Sequence, residues 1–180
     1  MKIAVAGKMR SGKDTLAKFF IENDKAYQLA FGDGIKKVAN TYFPHIVAQG
    51  KPRKLYQFIG EEFRKIDPYV WVNYLDQRMK HLGFLHIEDF VVSDVRQMNE
   101  YEYLKSKGFT VIKVEAADEI RRERIEKSGD IFEPEDFYHH TETAVDEIPC
   151  DYLVTNNDDL NAFYEQINFV YNELRGEQKV

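Results

Sequence analysis

Short apolar runs alternate with helix-like segments along almost the whole chain, and no other feature of the sequence restricts the fold as much. KIAVA ends at Gly7 and gives way to a helix-like stretch reaching about Asn23. YQLAF reads as a second strand and leads into a possible helix from Asp33 to Tyr42. After the turn-prone FPHIVAQGKP, the segments RKLYQFIGEEFRKI and PYVWVNYLDQRMKHL carry apolar residues at helical spacing, and Pro68 sits where a new helix can begin. DFVVSD has the continuous apolar form of a buried parallel strand. NEYEYLKSKG gives a helix closed by Gly108, FTVIKVEA a strand, and DEIRRERIEKSG a helix that opens acidic and ends in glycine. DYLVTN is a last strand and DDLNAFYEQINFVYNEL a last amphipathic helix, whereas Ser128 to about Pro149 shows no clear period.

Such alternation implies right-handed crossovers and a mainly parallel sheet covered on both faces, with ligands bound beyond the carboxyl ends of its strands. At 180 residues the chain suits one domain. No apolar run is long enough to cross a membrane, and the start lacks the layout of a signal peptide, so a cytoplasmic protein is expected. The single cysteine, Cys150, excludes an internal disulfide and a cysteine zinc cage. A formal net charge of -6 argues against nucleic acid as a partner, although KPRK, FRK and RRER form local basic clusters that suit small anions. A monomer and a homodimer are both compatible with these data.

The most specific local motif is GKMRSGKDT, in which Gly7-x-x-x-x-Gly12-Lys13 follows a strand and opens a helix. In a phosphate-binding loop the glycines let backbone N–H groups turn inward, and the lysine reaches the terminal phosphates. The alternative is an ordinary glycine-rich turn. The expected nucleotide contacts are Gly7, Arg10, Ser11, Gly12, Lys13, Asp14 and Thr15. Asp14 stands where such loops usually carry the Ser or Thr that meets Mg²⁺; it would bring a carboxylate oxygen instead, directly or through water.

Other candidates lie at the other strand ends. Asp94, read as just beyond a strand, either helps to hold magnesium or caps the next helix, and Arg96 follows two residues later. Asp33 could accept the proton of an attacking substrate oxygen or bind its sugar, or else is merely an N-cap, and Lys36 and Lys37 could meet a phosphate. In RRER, Arg121 and Arg124 share one side of a helix and Arg122 does not. They are either phosphoryl-stabilising cations on a mobile cover or part of a solvated face pairing with Glu119, Glu123 and Glu126. The aromatic stripe of Tyr56, Phe58, Phe63, Tyr69 and Trp71 is expected to be mostly core, whereas Arg64 among these rings could grip a phosphate. His139, His140, Glu142 and Asp146 carry no fixed metal geometry and read equally as a charged flexible segment.

Taken together, GKMRSGKDT, FGDGIKKVA, LYQFIGEEFRKIDPYVWVNYL, VVSDVRQMNEYEYLKSKGFTVIKV and DYLVTNNDDLNAFYEQI resemble the bacteriophage-type deoxynucleoside monophosphate kinases. The series Gly-Lys-Asp-Thr, Arg-Lys-Ile-Asp-Pro-x-x-Trp and Ser-Asp-Val-Arg-x-x-Asn-Glu is more specific than the loop alone, and Asp at position 14 is similar to that family's pattern. The resemblance implies an α/β three-layer P-loop kinase sandwich with a five-stranded parallel sheet. It also implies a helical acceptor-binding insert at about 43–82 and a lid region within 121–149. ATP and Mg²⁺ at Lys13 are implied as well, with Asp14 and Asp94 toward the metal. Asp33, Lys37, Arg64, Trp71 and Arg96 would fall at the acceptor site, with Lys13, Asp33, Arg96, Arg121 and Arg124 as catalytic candidates. His139-x-Thr141-Glu142 resembles the family's short His-x-Ser-Glu element near the lid.

Three other readings compete. The acceptor could be dephospho-coenzyme A or phosphomevalonate on the same scaffold. The chain could also be a nucleotide-binding module without catalysis. A guanine-nucleotide switch is disfavoured by the absence of Asn-Lys-x-Asp.

Overall fold

Ile3 and Val5 alternate with Ala4 and Ala6 along the first strand, and all four are buried, as a central strand covered on both faces requires. The computed structural model describes residues 1–128 and 140–176, without the side chains of 140 and 141. His139 therefore lies outside the described residues. Strands β1 (Lys2–Gly7), β2 (Tyr27–Leu29), β3 (Phe90–Val95), β4 (Thr110–Glu115) and β5 (Tyr152–Thr155) form one five-stranded sheet in the order β2-β3-β1-β4-β5. The β1–β3, β1–β4 and β4–β5 pairs are parallel, with Ala4 opposite both Val92 and Val111. Helices cover both faces, giving the expected α/β architecture.

The chain divides into two units, Met1–Gln28 with the chain from Asp89 onward, and Leu29–Glu88. In the first, α1 (Lys13–Asp24) and the C-terminal helix bury Leu16, Phe20, Phe163 and Ile167 against Ile3, Val5 and Val114.

The second unit contains α2 (Gly32–Tyr42), α3 (Pro44–Val47), α4 (Arg53–Ile66) and α5 (Val70–Phe84), and the stretch 43–82 expected to form an insert lies within it. The segment read as turn-prone thus contains a short helix, begun by a proline whose missing N–H costs nothing at a first helical turn. Pro68 precedes its helix rather than opening it: Asp67 Oδ1 accepts the Tyr69 N–H at 2.9 Å, and the helical run begins at Val70. The core reading of the aromatic stripe holds for Trp71, which is buried, but not for Phe58, Phe63 and Tyr69, which are exposed. Trp71 packs so closely on Gly34 that a Cβ there would lie 2.8 Å from the indole.

The remaining elements of the first unit are α6 (Met98–Ser106), α7 (Asp118–Ser128), α8 (His140–Thr143), a 3-10 turn at Ala144–Glu147 and α9 (Leu160–Arg175). The aperiodic stretch after Ser128 therefore contains short helical turns, too brief to show a period. Helix α9 is capped as its sequence suggests, with Asp159 Oδ1 accepting the Ala162 N–H at 2.9 Å. Among the described residues no helix is long and apolar enough to cross a membrane.

Candidate functional site

The turn from β1 into α1 contains both glycines of the motif, and each is required by its surroundings. A Cβ on Gly7 would sit 2.7 Å from Ser11 Oγ and 2.8 Å from the Val114 carbonyl. Gly12 has φ +110°, and a Cβ there would approach Asn156 Nδ2 to 2.3 Å. Between them the loop is tied down through its carbonyls. Met9 O accepts from Arg121 Nη1 at 3.1 Å, Arg10 O from Arg124 Nη1 at 3.2 Å, and Ser11 O from Asn156 Nδ2 at 2.8 Å. In a trans peptide the N–H points opposite to the C=O. Anchoring Met9 O and Ser11 O therefore turns the Arg10 and Gly12 N–H groups away from Arg121 and Asn156. The Ser11 N–H is taken by the Lys8 carbonyl at 3.2 Å and the Thr15 N–H by the Gly12 carbonyl at 3.0 Å, so the loop turns tightly into the helix.

Lys13 is 8% exposed, and its Nζ reaches the Lys8 carbonyl at 3.5 Å. Burial, and then the neighbouring Arg96 charge, pull its pKa down to about 8 against the opposing charges of Asp14, Glu142 and Asp94. Ser11 Oγ is fully buried without a hydrogen-bond partner among the described residues. A buried hydroxyl left unpaired costs about 1–3 kcal/mol.

Asp94 lies inside β3, not beyond its end. The register advances from Ala4↔Val92 to Ala6↔Val95, so β3 carries one extra residue at Ser93–Asp94, and bulges of this kind re-aim side chains. Nor does Asp94 cap α6; that role belongs to Gln97, which forms a reciprocal capping box with Glu100. The same Glu100, 2% exposed, accepts the Arg96 backbone N–H at 2.8 Å. The Arg96 guanidinium is ion-paired with Glu142. Among the described residues no cluster of three His, Cys, Asp or Glu could hold a metal by itself. Mg²⁺ beside a phosphate loop needs only one or two carboxylates plus phosphate and water oxygens, and exposed Asp14 and half-buried Asp94 fit that requirement.

On α7, Arg121 is 1% exposed, Arg124 is half-buried and Arg122 is exposed. Arg121 also pairs with Asp118 at 2.7 Å, and Arg124 Nη2 donates to Asn156 O and Oδ1, both at 3.0 Å. Both arginines therefore grip the outer side of the loop.

In the second unit, Arg64 Nη1 at 3.2 Å and Trp71 Nε1 at 3.1 Å donate to the same Gly60 carbonyl, which brings these two candidates together. Phe63 stacks on Trp71 with ring centroids 5.5 Å apart. The Lys37 ammonium lies 5.7 Å from the Tyr74 ring centroid. Asp33 occupies the first turn of α2 rather than its N-cap; its Oδ2 accepts the Ala30 N–H at 3.1 Å, and Lys36 lies 3.5 Å from Oδ1.

Sequence reasoning does not single out Asn156, although it directly follows β5, where the strand-end rule points. Glu142 is marked only by the His139-x-Thr141-Glu142 element, which gives it no role.

This combination defines a phosphate-loop nucleotide-binding domain. Residues 3–139 match AAA_18, the model of an AAA domain, and the chain belongs to that family. None of the curated proteins compared matches it. Among solved structures, a sugar kinase from Janibacter sp. HTCC2649 is similar with a TM-score of 0.63 at 14% identity, over 96% of this chain and 93% of that one. A shikimate kinase from Bacteroides thetaiotaomicron gives 0.61 at 14% identity, over 96% and 97%. A dephospho-CoA kinase from Campylobacter jejuni gives 0.58 at 14% identity, over 98% of both chains. The fold is therefore that of the P-loop small-molecule kinases.

Proposed function

We propose that this chain transfers the terminal phosphoryl group of ATP to the phosphate of a deoxynucleoside monophosphate. The observation that carries the reading is the buried ammonium of Lys13, held in a glycine loop beside Arg96 and the carboxylates of Asp14, Glu142 and Asp94. Phosphoryl transfer asks for positioning and charge neutralisation more than for covalent chemistry, and this set of groups supplies both. Lys13 and the loop amides would bind the donor phosphates. Arg96 would offset charge on the transferring group, and Arg124 would act from the rim of the loop. Asp14 and Asp94 would hold Mg²⁺, which when bound neutralises phosphate charge. For the acceptor, Arg64 would bind the phosphate with Trp71 beside it, and Lys37 and Asp33 would serve phosphate and sugar. The deoxynucleotide is favoured by the resemblance of Arg-Lys-Ile-Asp-Pro-x-x-Trp and Ser-Asp-Val-Arg-x-x-Asn-Glu noted above.

The test is a chromatographic product assay with Mg²⁺ and ATP. It offers in turn each deoxynucleoside and ribonucleoside monophosphate, dephospho-coenzyme A and phosphomevalonate. A deoxynucleoside diphosphate is the expected product. A product from another acceptor would move the substrate assignment, and ATP binding without any product would overturn the catalytic reading.

A further inference from the structure

Glu142 lies on a four-residue helix, yet its carboxylate, 2% exposed, meets three groups at once. Its Oε2 accepts the Met9 backbone N–H at 2.6 Å, its Oε1 is ion-paired with Arg96 Nη1, and Arg121 Nη1 lies 3.9 Å from Oε2. The same Arg121 nitrogen donates to the Met9 carbonyl at 3.1 Å, so residue 9 is held on both sides by an acid and a base that face each other. Arg96 is fixed independently at its backbone by Glu100. A buried carboxylate is tolerated only when well partnered, so its partners share its charge. Donors that share one carboxylate compete for its charge, so a donor drawn away leaves more of that charge to those that remain.

We propose that Glu142 is a positioning residue that couples Arg96 to the phosphate loop, so that an anion drawing on Arg96 tightens the Glu142 bond to the Met9 N–H. The binding of one anionic substrate thereby alters the loop that holds the other. The identity of those substrates rests on the kinase reading; the coupling itself does not.

The decisive measurement is the Met9 amide resonance in ¹H–¹⁵N spectra of wild type, Arg96→Ala, Glu142→Gln and the double variant. Arg96→Ala is expected to move the Met9 proton downfield in the wild-type background and to leave it unmoved in the Glu142→Gln background. No shift in Arg96→Ala, or the same shift in both backgrounds, overturns the coupling. Should Glu142→Gln fail to fold, Arg96→Ala decides alone: a downfield shift supports the proposal and an unmoved amide overturns it. In the kinase assay Glu142→Gln is expected to lower kcat about tenfold or more with little change in KM for ATP, as misplacement of a transition-state group does. A raised KM with unchanged kcat would reduce Glu142 to a prop for the loop and overturn the positioning role. If wild type transfers no phosphoryl group to any acceptor, the kinase reading fails, and the Met9 comparison still decides the coupling.

Discussion

Replacing Arg121 with methionine distinguishes two roles for a residue that sequence alone could place on a mobile cover. The side chain is 1% exposed, donates to Met9 O at 3.1 Å and lies 3.9 Å from the buried Glu142 carboxylate. Methionine fills similar volume without a charge. The change withdraws a donor from Met9 O, which costs about 1–3 kcal/mol where the acceptor stays buried. It also removes one of the two arginines that offset Glu142, and breaking a buried ion pair costs roughly 3–5 kcal/mol. Arg96 remains to compensate Glu142, and the cost of burying Arg121 itself is recovered. The net loss should therefore lie near the lower figure, about 3 kcal/mol. The Asp118 pair adds little, because Asp118 is 55% exposed. For a chain of this size about 3 kcal/mol corresponds to a fall in Tm of roughly 6–12 °C. Urea unfolding followed by circular dichroism reads the same loss as a lower midpoint at unchanged slope. An Arg121→Met protein with wild-type stability and lost phosphoryl transfer would refute this reasoning and return Arg121 to the transferring group.

Three further outcomes follow from the loop. Lys13→Ala should abolish phosphoryl transfer in the product assay while circular dichroism shows an intact fold; activity close to wild type would sink the proposed mechanism. Gly12→Ala should remove ATP binding measured by calorimetry, because φ is +110° and the new Cβ would meet Asn156 Nδ2 at 2.3 Å, so undiminished affinity would mean that the loop can reshape. ATP affinity should fall as pH rises through about 8, where Lys13 loses its proton in the folded protein. Between about 8 and 10.5 the unfolded chain holds this proton and the folded one does not, so this group's contribution to folding stability rises with pH over that window. Affinity and stability thus move in opposite directions, and an affinity that stays flat across the window refutes the assignment.

The order of strands and helices was legible because each buried strand is a local apolar run and each long helix a local period. Helix α4, Arg53–Ile66, has the bounds of the segment RKLYQFIGEEFRKI quoted from the sequence. Legibility fails where structure is set by distant groups. The bulge at Ser93–Asp94 is a property of β3 against β1, so no reading of β3 alone could show it. Helical spacing separates Arg122 from Arg121 and Arg124, but what the latter two reach depends on where the loop runs beside α7. Phe58 and Phe63 lie five residues apart, about 140° round a helix, and only the folded surroundings of α4 decide that both stay exposed. Glu142 is marked in the sequence only by the short His139-x-Thr141-Glu142 element, which assigns it no role; its partners lie far along the chain.

The way the phosphate loop is fastened also bears on when it acquires its shape. Residues 9 to 11 are fixed by Arg121, Arg124, Glu142 and Asn156, at sequence separations of 112 to 145 positions. Contacts of such separation form late, because the intervening chain must be ordered before they close. During synthesis the motif is made well before all four of these partners, and it waits for β5 and the residue after it before its loop is fastened. Nucleotide capture by the growing chain would then mark the completion of folding rather than assist its beginning.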